Sequence, residues 1–271
     1  MKLDHIYHRP CGGLSEIPDD SIDVIITSPP YNLSTKKPQK HKLHNMVGYD
    51  GFDDAMPVSE YQQQQVELLN ACCRVIKPGG SIFYNHKPRH ADGIEINPHI
   101  WIERSDCELY QTIVWNRKST PNHERRYQWP VFEYIFHLYR PGRLPRVNLD
   151  CAEWTSIWTI DWSETRRNAH PAPFPEEIAA RCIMLADCRE GEIVLDPYMG
   201  SGTTAVMAVQ NGLHYVGYEI SEKYIKHAMN RIRRARTERQ MFEGMQPAAT
   251  TKSTGKKATV DIYECTDDSD L

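Results

Sequence analysis

Asp196-Pro197-Tyr198-Met199-Gly200-Ser201-Gly202-Thr203-Thr204 follows an apolar run, Glu192 to Leu195, and opens a helical run, Thr203 to Gln210. Strand, glycine-bearing loop and helix therefore come in direct succession. Gly200 and Gly202 let a ligand approach the backbone closely. The first turn of the helix supplies unpaired N–H groups that suit a carboxylate. The loop lacks the Gly-Lys-Ser/Thr ending of a phosphate loop, and its spacing departs from Gly-x-Gly-x-x-Gly. The next strand, His214 to Ile220, carries Glu219 near its end, where an acid can accept hydrogen bonds from ribose hydroxyls. Loop and acid together fit an adenosine-type ligand that bears a carboxylate.

The same alternation runs outward from this unit. Ile22 to Thr27 is a β-branched run of the kind found in buried strands. Pro57 to Val75 has helical spacing and stops at the breaker Lys77-Pro78-Gly79-Gly80. Ser81 to Tyr84, Leu109 to Trp115 and Val131 to Tyr139 read as strands. Pro175 to Asp187 and Glu222 to Met241 read as helices. Strands alternating with helices predict an α/β fold, a mostly parallel sheet covered by helices on both faces. Ligands in such sheets bind at the carboxyl ends of strands. That rule points to two places, after Leu195 and after Thr27.

After Thr27 comes Ser28-Pro29-Pro30-Tyr31. Two prolines fix the backbone and remove two N–H donors, so the loop offers acceptors and a ring. The exocyclic amine of a nucleobase is a poor nucleophile, because its lone pair is delocalised. Acceptors that grip its hydrogens can localise that pair and hold it in line with a methyl donor. The Tyr31 ring can stack on the base. Taken alone, the tetrapeptide reads equally well as a rigid turn.

In these motifs the chain resembles the β-type amino-methyltransferases of DNA, the N4-cytosine/N6-adenine family. Residues 196 to 204 look like the family's methyl-donor loop, and Ser28, Pro29, Pro30 and Tyr31 look like its catalytic loop. His170-Pro171-Ala172-Pro173-Phe174-Pro175 is similar to its His-Pro segment. The order, catalytic loop first, matches the β permutation, and the likeness spans about residues 14 to 235. The resemblance implies a Rossmann-like sheet with a small target-recognition insertion and S-adenosyl-L-methionine as cofactor. It implies that Asp196, Pro197, Gly200, Ser201, Gly202, Thr203 and Thr204 surround the donor, with His170 and Phe174 lining its pocket. Glu219 would hold the ribose. The target base would be flipped out of the duplex. One departure stands out: Arg9 occupies the neighbourhood where the family carries an Asp for the donor's adenine.

Composition agrees with an enzyme of this size. Of 271 residues, 40% are hydrophobic and 25% charged, as in globular domains. No stretch is apolar enough for a membrane span, and the polar N-terminus is not expected to be a secretory signal. The eight cysteines form no Cys-x-x-Cys pair, so reduced thiols in the cytoplasm are expected, with no metal site. Residues 243–271 carry three Lys and six acids and read as a disordered tail. Without them the methyltransferase domain, 1–242, has 29 basic and 30 acidic residues. A DNA partner then requires local basic patches. The candidates are Lys36, Lys37, Lys40 and Lys42; Arg117, Lys118, Arg125 and Arg126; Arg140, Arg143 and Arg146; and Arg166 with Arg167. Target recognition is expected within 33–56 and 117–168. The arginines of the last helix, from Arg231 to Arg239, read first as a solvated helix end, with contact to the DNA backbone as the second reading.

Within the family, Ser at the first loop position goes mostly with cytosine N4, and Asp or Asn with adenine N6. The reading therefore leans to N4 of cytosine in double-stranded DNA, with adenine N6 as the alternative. Methyl transfer to RNA or protein, and a non-catalytic DNA-binding subunit, are the rival classes. A homodimer and a cognate restriction endonuclease are the partners such an enzyme could take.

Overall fold

A computed structural model describes residues 1–32, 56–91, 93–120, 128–161 and 175–245. The strands are β1 (His5–His8), β2 (Ile22–Thr27), β3 (Ile76–His86), β4 (Arg89–Ala91), β5 (Ile94–Ile96), β6 (Glu108–Asn116), β7 (Phe132–Tyr139), β8 (Ile157–Thr159), β9 (Ile193–Asp196) and β10 (His214–Glu219). The helices are α1 (Val58–Val75), α2 (His99–Ile102), α3 (Glu176–Leu185), α4 (Thr203–Gln210) and α5 (Glu222–Met245). Eight strands form one sheet in the order β1-β10-β9-β2-β3-β7-β6-β8, and β4 and β5 form a separate hairpin. Within the large sheet only the contacts of β7 with β3 and β6 are antiparallel.

Side-chain alternation divides the core in two. On β2, Val24 and Ile26 face one layer, with α3, α4 and α5. Ile22 and Ile25 face the other, with α1 and α2. Because both faces are covered, nearly every residue of β2 is buried, which is why the strand reads as an unbroken apolar run. Helix α1 buries Tyr61, Gln65, Leu68, Leu69, Cys72 and Val75, one stripe at helical spacing.

The strand order fixes where a ligand can bind. From β9 the chain moves outward to β10, and from β2 it moves the other way, to β3. The adjacent strands β9 and β2 are therefore the topological switch point, and sheets of this kind bind ligands at the carboxyl ends of such strands. Both candidate loops begin there.

Several elements differ from the sequence reading. The polar N-terminus, in which the sequence reading placed no strand, supplies the edge strand β1. Only Ile6 of its four residues is buried, so no pattern marks it. Lys77-Pro78-Gly79-Gly80 does not separate helix from strand, since β3 starts at Ile76. A Cβ on Gly80 would lie 2.7 Å from the Asp23 carbonyl, and the β2–β3 register shifts between Ile22 and Val24. Those glycines let the strand begin tightly against β2. Helix α5 runs to Met245, so the segment expected as a tail from residue 243 begins as helix, and 246–271 lie outside the described residues. No helix among the described residues is long and apolar enough to cross a membrane.

Candidate active site

Asp196, at the last position of β9, ties the two loops together. Its carboxylate is buried and accepts from Thr27 Oγ1 of β2 (3.0 Å), Thr204 Oγ1 of α4 (2.8 Å) and the Tyr198 N–H (3.0 Å). Burial pushes the carboxyl up to about 6, while those three bonds act in the opposite direction. Thr27, the last residue of β2, which the sequence reading passed over, joins the Asp196–Thr204 loop to the strand that leads into Ser28.

The Asp196–Thr204 loop, the candidate donor loop, is held from below. Glu219 accepts from the Gly200 N–H and the Ser221 N–H, each at 2.8 Å, and burial pushes its carboxyl up. Arg231 of α5 donates to the Ser201 carbonyl (2.7 Å), Ser201 Oγ (3.0 Å) and Thr203 Oγ1 (3.2 Å). Its other end pairs with Glu176. Its side chain is only 14% exposed. Arg231 is thus a loop clamp and not part of a solvated helix end, whereas Arg234, 81% exposed, fits that description. The hydroxyls of Ser201, Thr203 and Thr204 all point to protein partners. The loop's face toward a ligand is then its backbone: Gly202 caps α4 in the left-handed region, and no side chain among the described residues caps that helix. Pro197 lies between Asp196 and Tyr198 in the same turn. Arg9 pairs with Glu16 and lies 5.2 Å from the Tyr7 ring centroid. His170 and Phe174 fall outside the described residues.

The Ser28–Tyr31 loop, the candidate catalytic loop, carries a polar cluster that sequence reasoning missed in part. Ser28 Oγ lies 2.9 Å from Tyr31 Oη and 3.2 Å from Asn85 Oδ1. Tyr31 Oη lies 3.0 Å from Asn85 Oδ1 and 2.9 Å from Glu133 Oε2. Asn85 Nδ2 donates to the Tyr134 carbonyl (2.9 Å), which orients the amide. Glu133 Oε1 accepts from Arg117 Nη1 (2.6 Å). The Tyr31 ring stands 4.5 Å from the His86 ring, and Lys87 Nζ is 5.4 Å from its centroid. The Pro30 carbonyl accepts from Tyr61 Oη (2.8 Å). Pro29 is buried, while Ser28, Pro30 and Tyr31 are half-buried. Asn85 stands one residue before the end of β3, a strand parallel to β2, a signal the sequence reading could have used. Glu133, a lone acid inside the apolar run of β7, was another.

The basic patches divide by their end of the sheet. Arg117 lies at the site end but is spent on Glu133. Because β7 runs antiparallel, Arg140, Arg143 and Arg146 are carried to the opposite end. There Arg140 pairs with Asp20, and Arg146 grips Glu192 with both terminal nitrogens (3.0 and 2.6 Å). Arg143 abuts Gly79. Arg140 and Arg146 are thus paired with acids at the end of the sheet away from the two loops, and Arg143 packs beside Gly79. The patch at residues 36–42 and Arg125, Arg126, Arg166 and Arg167 lie outside the described residues. Trp158 is core, whereas Trp129 is exposed on the connection that enters β7 at the site end.

Buried histidines make the fold acid-sensitive. Burial, with the Lys87 and Arg89 charges, holds the His86 imidazole down to about 3 against the pull of the Lys87 carbonyl, and burial holds His137 down to about 4. Imidazoles so depressed add stability that is whole above about pH 6.5 and is lost as the pH falls toward those values. Asp196 has the opposite sign: its raised carboxyl favours the fold as the pH drops from about 6 toward 4. At about 1.4 kcal/mol per unit and group, the histidines cost about 5 kcal/mol by about pH 4.5 and Asp196 returns about 2. Urea titrations are expected to show about 3 kcal/mol less stability at about pH 4.5 than at about pH 7.5. Equal stability at the two values would contradict the burial of two neutral imidazoles.

Comparison with known proteins places this geometry. The family model for N6/N4 methyltransferases, described as DNA methylase, matches residues 22–230. The type II methyltransferase M.BglII of Bacillus subtilis is 27% identical over 249 residues, covering 78% of this chain and 64% of that protein. Among solved structures, the cytosine-N4-specific PvuII DNA methyltransferase superposes with a TM-score of 0.65 at 16% identity, over 86% of this chain and 89% of that one. The complex of M1.HpyAVI with its methyl donor gives 0.59 at 17% identity, over 84% and 98%. The fold is thus the Rossmann-like sheet of S-adenosylmethionine-dependent methyltransferases, and the chain belongs to the N6/N4 family of DNA amino-methyltransferases.

Proposed function

We propose that this chain transfers the methyl group of S-adenosyl-L-methionine to N4 of cytosine in double-stranded DNA, at a specific site. The observation that carries the reading is the pairing of two loops at one switch point. The open N-terminus of α4 suits the donor's carboxylate, and Glu219 stands at the neighbouring strand end for the ribose. Across the Thr27–Asp196 bond, Ser28 presents a hydroxyl acceptor where the amine would sit. A flipped base is required, because the amine is otherwise paired. Serine at the first loop position supports cytosine N4, and the N4 specificity in the name of the PvuII enzyme supports it further. The type II designation of M.BglII supports a role beside a restriction endonuclease.

The test is nucleoside mass spectrometry after incubating unmethylated bacterial DNA with the protein and S-adenosyl-L-methionine. N4-methylcytosine is the expected product. N6-methyladenine would overturn the choice of base and leave the class standing. Neither product, with the donor still bound, would overturn the DNA substrate.

A further inference from the structure

Glu133 belongs to neither loop, and nothing in the function proposed so far uses it. It is 5% exposed and reaches Tyr31 from β7. Its carboxylate is bound on one oxygen by Arg117 (2.6 Å) and on the other by Tyr31 Oη (2.9 Å). The Tyr31 hydroxyl has one hydrogen, and among the described residues three oxygens lie in reach, Ser28 Oγ, Asn85 Oδ1 and Glu133 Oε2. A carboxylate is the stronger acceptor, so the hydrogen goes to Glu133. The Tyr31 oxygen then has its lone pairs turned to Ser28, 2.9 Å away. Ser28 gives its own hydrogen inward, to Tyr31 or to Asn85 Oδ1, and keeps its lone pairs for the substrate.

Resting on the reading of Ser28–Tyr31 as the base-binding loop, we propose that Glu133 is a positioning residue that sets the direction of the Ser28–Tyr31 hydrogen bonds and receives the proton released by methyl transfer. Before attack, this polarity makes Ser28 an acceptor for one amine hydrogen. Attack forms the N–C bond, breaks the donor's S–C bond and leaves the nitrogen with a surplus proton and a positive charge. That N–H bond then breaks as Ser28 Oγ takes the proton. Ser28 passes its original hydrogen to Tyr31 Oη, and Tyr31 passes its own to Glu133 Oε2. The net result is neutral methylated amine, unchanged Ser28 and Tyr31, and protonated Glu133, which returns its proton to water between turnovers. Arg117 holds the carboxylate in place throughout.

The test uses the full chain, unmethylated bacterial genomic DNA at saturation and labelled S-adenosyl-L-methionine. Glu133→Gln keeps the shape and removes the proton acceptor. Tyr31→Phe removes the relay hydroxyl and leaves the Glu133–Arg117 pair whole. Each is expected to lower kcat about 100-fold, the lower end of what one positioned proton transfer supplies, with KM for DNA and donor affinity within about threefold. The double variant is expected to fall no further than the slower single one, because both cut one chain. Multiplying effects, or full activity in Tyr31→Phe, would overturn the relay. Tyr31→Phe decides alone if Glu133→Gln fails to fold. Absence of methylation by the unaltered chain would instead overturn the functional reading on which the relay rests.

Discussion

Tyr31→Ala is expected to lower methyl transfer about 1000-fold while donor affinity stays within about twofold. The residue stands at the meeting point of Ser28, Asn85 and Glu133, and all three distances lie between 2.9 and 3.0 Å. Alanine removes the oxygen that orients Ser28 and the ring that packs against His86, so base grip and polarity are lost together. The donor side is spared for a geometric reason. The link between the loops runs through Thr27 and Asp196, upstream of Ser28, and Arg231 and Glu219 hold the donor loop without contact to Tyr31. Calorimetry with S-adenosyl-L-methionine and initial rates of label incorporation separate the two effects. A fall in donor affinity that matches the fall in rate would contradict the division of labour between the loops.

How far the site could be read from the sequence depended on whether its geometry is local. The unit from β9 through α4 was legible because strand, turn and helix follow one another within twenty residues, each marked by its own residue types. Ser28 to Tyr31 was legible because it ends a β-branched strand. Their juxtaposition was not local, yet the rule for parallel sheets supplied it. Glu133 and Asn85 escaped because their roles depend on which strands lie side by side. Asn85 reaches the site through β2–β3 pairing, and Glu133 through a strand that enters the sheet antiparallel. The same reversal carried Arg140 and Arg146 to the far end, where they bind acids. Arg231 was misread for a related reason: which side of α5 is solvated depends on the packing of α4 against it.

Gly202→Ala tests the donor loop from the packing side, and its effect is expected to be nearly as large. Gly202 has φ 79° and ψ 22°, the left-handed region, which costs an L-residue about 1–2 kcal/mol. A Cβ there would lie 2.7 Å from the Cβ of Ala228 and 3.1 Å from its Cα. Ala228 is fully buried on α5, so the helix itself must shift. Overpacking of that kind adds about 1–3 kcal/mol, for a total of about 2–5 kcal/mol. Arg231 lies three residues further along α5, on the same side of the helix. Displacing α5 therefore draws the guanidinium away from the Ser201 carbonyl and lets the loop go. Donor affinity is expected to fall more than about 100-fold, on the scale of the rate lost when a site is misplaced by about an ångström. Glycine is required at 202 for the approach of α5, and not only, as the sequence suggested, for the approach of a ligand. Thermal unfolding and calorimetry on the one variant read both consequences. A variant that melts early yet binds the donor normally would show that the clamp steadies the fold without shaping the donor site.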